Sequence, residues 1–334
     1  MPSPTFSERR LYRNAALLMA FQSAQGTPVS DFTTAATRAI WAREFDFDPG
    51  TEKGDDQGTI GTARKLRDAR YTRLQKPVAR FLGGATPKSL EWALRSWGGP
   101  WTGGPAFLLD VKEEINEWAT LALVEKIVPG AGNLQRIVRL KDAWAHRVRL
   151  RQASEVTTLD MEVHLAGRSF DRTMMNALGG IVLPATAAGY MPPAVDVFAP
   201  HQFRLYRDPA GPNVSIAISE FELMMDHGLL HDNFNDIEPQ VVKEGYTSIK
   251  FRLRGVWKDE TYAIQTDSEA SPAVFKRFRG EWVSGSKSFI IDATNLDWKP
   301  SITGWRDNKF AEFIVEGEAY LDASDNWITF TLTP

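Results

Sequence analysis

The chain has 334 residues, of which 43% are hydrophobic and 24% charged, with a net charge of −3. Such values belong to packed globular proteins, so wholesale disorder is excluded, and the length suits two domains of roughly 150 residues each. There is no cysteine, which removes disulfides, thiol catalysis and thiolate metal sites together.

Charge is unevenly spread. Residues 1–150 carry 22 Lys and Arg against 16 Asp and Glu, whereas 151–334 carry 17 against 26, giving +6 and −9. Oppositely charged halves attract each other, so copies meeting first half to second half are favoured over like-to-like contacts. No apolar run approaches the roughly 20 residues of a membrane-spanning helix. Arg9, Arg10 and Arg13 precede the apolar run Ala15 to Phe21 as in a signal peptide, but no small-residue cleavage site follows, and an unprocessed chain is expected.

In chain order, Arg10 to Phe21 suits a short helix or a strand equally, and Gln25-Gly26-Thr27-Pro28 ends it as a turn. Ala39 to Asp48 alternates aromatic with acidic residues, the pattern of a half-buried strand with one acidic face. Pro49 to Gly61 is Gly- and Asp-rich and is expected to be a long loop. Lys65 to Leu82 is strand-like and basic, with Pro77 against a central position. Thr86-Pro87 supplies an N-cap and a first-turn proline for a helix through Trp97, whose Leu90, Leu94 and Trp97 share a face. Asp110 to Val128, with Glu113, Glu114 and Glu117 early, predicts a second helix.

His146 to Gln152 and Thr158 to Leu165 alternate at period two as strands. Ser169 to Pro200 reads as a connector containing a short helical piece, Asp171 to Leu178. Beyond it come strands at Gln202 to Tyr206 and Asn213 to Leu223, a loop from Met225 to Glu238, and a strand from Ile249 to Arg254. A helix after Ser271-Pro272 precedes final strands at Ser288 to Thr294, Phe310 to Asp322 and Trp327 to Leu332.

An internal repeat organises these elements. Glu44-Phe45-Asp46-Phe47 returns as Glu220-Phe221-Glu222-Leu223, and Tyr71-Thr72-Arg73-Leu74 returns as Tyr246-Thr247-Ser248-Ile249. The expected fold is therefore mainly β (α+β): two tandem β-barrel or sandwich units over 1–168 and 201–334, joined by 169–200. Each has a flanking helix, and the 110–128 helix is inserted in the first unit.

Catalytic signatures are lacking. No sequence fits a phosphate-binding loop, a dinucleotide fingerprint or a nucleophile elbow. His227 and His231, flanked by Asp226 and Asp232, have metal-ligand spacing on a helix, but Gly228 and the Asp/Asn-rich run after them predict a polar loop. Aromatics for stacking nucleic-acid bases are sparse among the basic residues Arg70, Arg73, Arg80, Arg147, Arg149 and Arg151, so a partner-facing basic surface at a subunit interface is expected. An alternative is a two-unit β-rich carbohydrate-binding module or hydrolase, with Trp92, Trp97 and Trp101 lining a cleft.

The order of elements resembles the major tail tube proteins of long-tailed bacteriophages. The resemblance rests on Ala24-Gln25-Gly26-Thr27-Pro28, the strand ending in Asp48-Pro49-Gly50 with its long loop, and Tyr71 to Leu74 leading to the helix after Thr86-Pro87. It rests also on Phe203-Arg204-Leu205-Tyr206, Val214 to Leu223 and Glu244-Gly245-Tyr246-Thr247. The resemblance implies a non-enzymatic virion protein without cofactor or metal, made in the host bacterial cytoplasm, that assembles into rings stacked as a tube. With a duplicated unit, three chains make a pseudo-hexameric ring. The implied partners are further copies, other tail proteins (tape measure, terminator and distal tail), and double-stranded DNA passing without specific binding; no membrane is involved. An acidic lumen repels phosphate, and Glu44, Asp46, Asp48, Asp160, Glu162, Glu220, Glu222, Glu312, Glu316 and Glu318 are its candidates. Ring stacking is assigned to the loops Pro49 to Ala69 and Met225 to Gly245, with candidates Gly50, Gly54, Asp55, Asp56, Gly58, Gly61, Asp226, Gly228, Asp232 and Asn235.

Overall fold

Alternating side chains dominate the sequence, and strands dominate the fold. The computed structural model describes residues 15–34, 38–40, 42–50, 52–55, 70–74, 76–99, 106–110, 117–127, 134–153, 158–174, 180–184, 197–207, 218–232, 241–256, 266, 269, 276–303, 312–321 and 326–333. The strands of the first half are β1 (Ala15–Phe21), β2 (Arg38–Ile40), β3 (Glu44–Asp48), β4 (Glu52–Asp55), β5 (Arg70–Leu74) and β6 (Val78–Gly84). After helix α1 (Pro87–Gly98) come β7 (Ala106–Asp110), β8 (Ala119–Ile127), β9 (Leu134–Ala153), β10 (Asp160–Ala166) and β11 (Ser169–Met174). The second half holds β12 (Phe203–Arg207), β13 (Ile218–Asp232), β14 (Val241–Val256), β15 (Lys276–Ser284), β16 (Lys287–Thr303), β17 (Glu312–Tyr320) and β18 (Asn326–Thr333).

Sixteen of these strands form one antiparallel sheet, whose longest path runs β12-β15-β16-β17-β14-β13-β9-β10-β6-β3; β4 and β5 form a separate ribbon. The sheet is open. Mainly β is as expected, while two separate barrel or sandwich units are not seen among the described residues. No helix among them is long and apolar enough to cross a membrane.

One pairing pattern occurs twice along the chain. In the first half β1 pairs β8, β8 pairs β9, β9 pairs both β10 and β11, β10 pairs β6, and β6 pairs β3. In the second, β12 pairs β15, β15 pairs β16, β16 pairs both β17 and β18, β17 pairs β14, and β14 pairs β13. The two occurrences meet at β9 and β13, which pair from Glu220↔Ala153 to Asp226↔Arg147. Both long strands, β9 and β16, change neighbours at an irregularity. In β9 this is Asp142, a non-glycine residue with a φ of 47°. Aspartate tolerates that left-handed conformation better than most residues, and here its carboxylate accepts hydrogen bonds from Gln22 Nε2 and Gly26 N, both at 2.7 Å.

The helix forms where the sequence places it. Thr86 caps α1, its hydroxyl accepting from Ser89 N while Ser89 Oγ accepts from Thr86 N. Leu90, Leu94 and Trp97 are buried on the sheet together with Trp92. A single large core extends through both halves, carried by aromatic contacts such as Phe81–Trp92, Phe251–Phe278 and Trp282–Phe289. Phe198, in the expected connector, is buried in this core.

Several expectations are corrected. The predicted 110–128 helix is strand over Ala119–Ile127: an Ala/Thr/Leu/Val run satisfies either period, and pairing with β1 and β9 on its two sides decides it. The helical piece predicted from Asp171 is strand β11, where Asp171 binds Arg139 and Lys141. The loop predicted from Met225 is the continuation of β13 to Asp232, paired with β14 from Val241, so Asp226, Gly228 and Asp232 lie in a strand. A helix after Pro272 does not extend past 275, since Lys276–Ser284 is strand; 271–275 lie outside the described residues. In the loop predicted after Pro49, Glu52–Asp55 pairs with Arg70–Leu74, which places Gly54 and Asp55 in a strand.

Candidate functional site

Strand alternation divides the sheet into two faces of opposite character. On β3, β10, β13 and β17 the residues Phe45, Val163, Phe221, Leu223 and Val315 point to the core, Phe45 half-buried and the rest fully buried. The other face of these strands carries Glu44, Asp46, Asp48, Asp160, Glu162, Glu220, Glu222, Glu316 and Glu318. All nine acids belong to the set expected to share a surface, and they share one. Glu312 has the same parity in β17, paired with Val256 and Thr303.

Basic strands alternate with these acidic ones. Across the path β3-β6-β10-β9-β13-β14-β17-β16, the intervening strands present Arg80 on β6, Arg147, Arg149 and Arg151 on β9, Lys250, Arg252 and Arg254 on β14, and Lys299 on β16. The opposition is realised in contacts. Arg80 reaches Asp46 at 3.2 Å and Glu162 at 2.5 Å; Arg149 reaches Glu162 at 3.5 Å and Glu222 at 2.6 Å. An unbroken chain of ion pairs thus crosses five adjacent strands. On either side of it Arg147 binds Asp226 at 2.5 Å, Arg151 binds Glu220 at 3.0 Å, and Arg43 binds Asp160. Farther along, Arg252 and Glu316 are 4.0 Å apart, and Lys299 stands opposite Glu316.

The electrostatics follow from this lattice. Burial pushes the Glu162 carboxyl up, but hydrogen bonds and charge from Arg80 and His164 outweigh it and hold Glu162 below the ordinary value. His164, 3.0 Å from Glu162, is held below the usual imidazole value by burial, which exceeds the pull of that carboxylate. Arg149 is held above its ordinary value by its hydrogen bond to Glu222. Arg80, Arg149 and Arg151, expected at a subunit interface, therefore pair with acids expected to repel DNA. Surface pairs of this kind contribute about 0–1 kcal/mol each, but together they engage arginines that would otherwise release counterions from a polyphosphate. Over β13, β14, β17 and β16 the face is hollowed into a cavity of about 370 Å³, lined by Glu222, Lys250, Arg252, Lys299 and Glu316 among others.

The other sequence candidates separate from this face. Gly50 sits in the turn after β3, with a φ of 55° and its carbonyl accepting from Lys76 N at 3.1 Å. Gly54, Asp55, Arg70 and Arg73 belong to the β4–β5 ribbon; Asp56, Gly58, Gly61 and Asn235 lie outside the described residues. His227 is on the core face and stacks on Trp97 with ring centroids 4.2 Å apart. Its Nε2 donates to the Trp97 carbonyl at 3.0 Å, and its Nδ1 accepts from Thr247 Oγ1 at 2.8 Å, so neither nitrogen is left for a metal. Among the described residues no cluster of three or more metal-ligating side chains occurs. Trp92 and Trp97 are buried rather than set along a cleft, and Trp101 lies outside the described residues.

Sequence reasoning missed Lys250, Arg252, Arg254 and Lys299 as members of the face. The signal for the first three was present, since Ile249 to Arg254 alternates apolar with basic residues. No protein-family model and no curated protein matches the chain.

Proposed function

We propose that the protein is a structural subunit that closes with further copies into a ring, and that rings stack into a tube of the kind found in long-tailed bacteriophages. The observation that carries this reading is the β9–β13 junction. It joins two occurrences of one pairing pattern inside the chain, and among the described residues it leaves one side of β3 and one side of residues 297–303 of β16 as unpaired counterparts. Exposed edges of this sort promote pairing with another chain, and ring closure removes them. The ends differ, so the contact is head-to-tail, the arrangement that generates rings when its rotation closes.

Each chain contributes eight strands between β16 and β3. At about 4.8 Å per strand and tilts up to about 40°, two chains leave a lumen radius of about 6–10 Å once side chains are subtracted, and three chains leave about 12–18 Å. Duplex DNA, with grooves about 8 Å deep on either side, needs a radius of about 10 Å. Three chains, or six pattern repeats, is the smallest number with clearance. The charged face opposes the core and lines the lumen. DNA slides past it because Arg80, Arg147, Arg149 and Arg151 are already paired with carboxylates and hold phosphate weakly. Virion location and the tail-protein partners follow from the same reading.

Negative-stain microscopy of the purified protein at rising concentration tests it. Rings or tubes with a central hole are expected; a monomer at every concentration sinks the proposal.

A further inference from the structure

We propose that β3 of one copy pairs antiparallel with residues 301–303 of β16 in the next, with Asp48 opposite Ser301 and Lys299 ion-paired to Asp48. This names the interface of the ring proposed above and rests on that reading.

The register comes from the chain's own junction. In the first occurrence of the pattern a row of directly opposed residues runs Phe45, Phe81, Val163, Val148. In the second the equivalent row runs Phe221, Leu253, Val315, Pro300. At the junction Val148 stands opposite Met225, four residues beyond Phe221. By the same step Pro300 falls opposite the residue four beyond Phe45, which is Pro49 of the neighbouring copy. Ser301 then meets Asp48, Ile302 meets Phe47, and Thr303 meets Asp46.

Three independent features agree with this placement. Among the described residues nothing pairs with the second side of β3, and beyond Leu296 nothing but β17 pairs with β16. The register ends on two opposed prolines, neither of which has an N–H to pair, and β3 itself ends at Asp48. Charge matches along the diagonal used inside the chain: Arg149, opposite Met224, reaches Glu222, the residue opposite Arg151. The same diagonal from Lys299 ends on Asp48. Lys299 is 75% exposed, its nearest acid among the described residues being Asp297 at 3.9 Å, and Asp48 is exposed. The strand-by-strand alternation of charge thereby continues from β16 into the next copy's β3.

The natural absence of cysteine makes a clean test. Mixing Asp48→Cys with Ser301→Cys under mild oxidation should give disulfide-linked dimers, and neither variant alone should link. Asp48→Cys mixed with Asp297→Cys, four residues out of register, should link about tenfold less, because a disulfide needs Cα atoms within about 7 Å. In the full chain Lys299→Glu should raise the concentration needed for assembly, and adding Asp48→Lys should restore it. Equal linking at 297 and 301, self-linking of Asp48→Cys, or no linking overturns the register. Rings seen by microscopy without these links would leave the ring reading standing and refute the interface. Register-specific links in particles that microscopy shows only as dimers or open filaments would support the interface and refute the ring.

Discussion

His227 ties α1 to the sheet, and its titration should set an acid limit on stability. Burial lowers its pKa from 6.5 to about 4, against the smaller opposing effects of the Trp97 carbonyl and Asp226. Between those two values the unfolded chain binds a proton that the folded one refuses. The stabilisation from the neutral ring is complete above about pH 6.5 and is lost as pH falls toward about 4. Linkage puts the loss at about 2.5 kcal/mol between about pH 7 and pH 4.5. His227→Phe keeps a ring against Trp97 and Trp144 but cannot titrate. It should cost about 1–2 kcal/mol at neutral pH through the two lost hydrogen bonds. Urea unfolding of both proteins at the two pH values measures the double difference, in which the carboxylates common to both cancel. The variant should lose about 2.5 kcal/mol less on acidification; identical pH dependence in the two proteins would refute the assignment.

Two further substitutions probe the turns that aim the strands. A Cβ at Gly50 would lie 2.0 Å from the Lys76 carbonyl oxygen at a φ of 55°, so Gly50→Ala should cost at least about 1–3 kcal/mol, read as a lower urea midpoint. Asp142→Ala removes the acceptor for Gln22 and Gly26 at the kink of β9. A loss of about 2–3 kcal/mol is expected, and Asp142→Asn should recover part of it by keeping an acceptor and the left-handed conformation.

Much of the fold was legible because period two is a local signal. The alternation in Glu44–Asp48 gave a strand with its acids exposed and its phenylalanines half-buried, as observed, and Thr86-Pro87 gave the helix start. The failures share a cause. Ala119–Ile127 and Asp171–Met174 lack a decisive period, and the partner strands that fix them lie elsewhere in the sequence. Gly228 and Asp232 read as loop residues, yet β14 holds them in a long hairpin. Nine acids of the candidate face were found from sequence, but Asp226 and Asp297 were not, and neither was the pairing of acids with arginines, because cross-strand neighbours such as Arg80 and Glu162 are 82 residues apart.

By itself the sequence determined a cysteine-free, strand-dominated chain with a repeated acidic strand and oppositely charged halves, since composition and alternation are properties of neighbouring residues. Only the tertiary structure decided that those charges meet within one chain, Arg149 against Glu222 across the β9–β13 junction. It also left one side of β3 and one side of residues 297–303 of β16 without a strand partner among the described residues. Strand order and register are set by long-range backbone pairing and by burial of one face, and no local pattern encodes them.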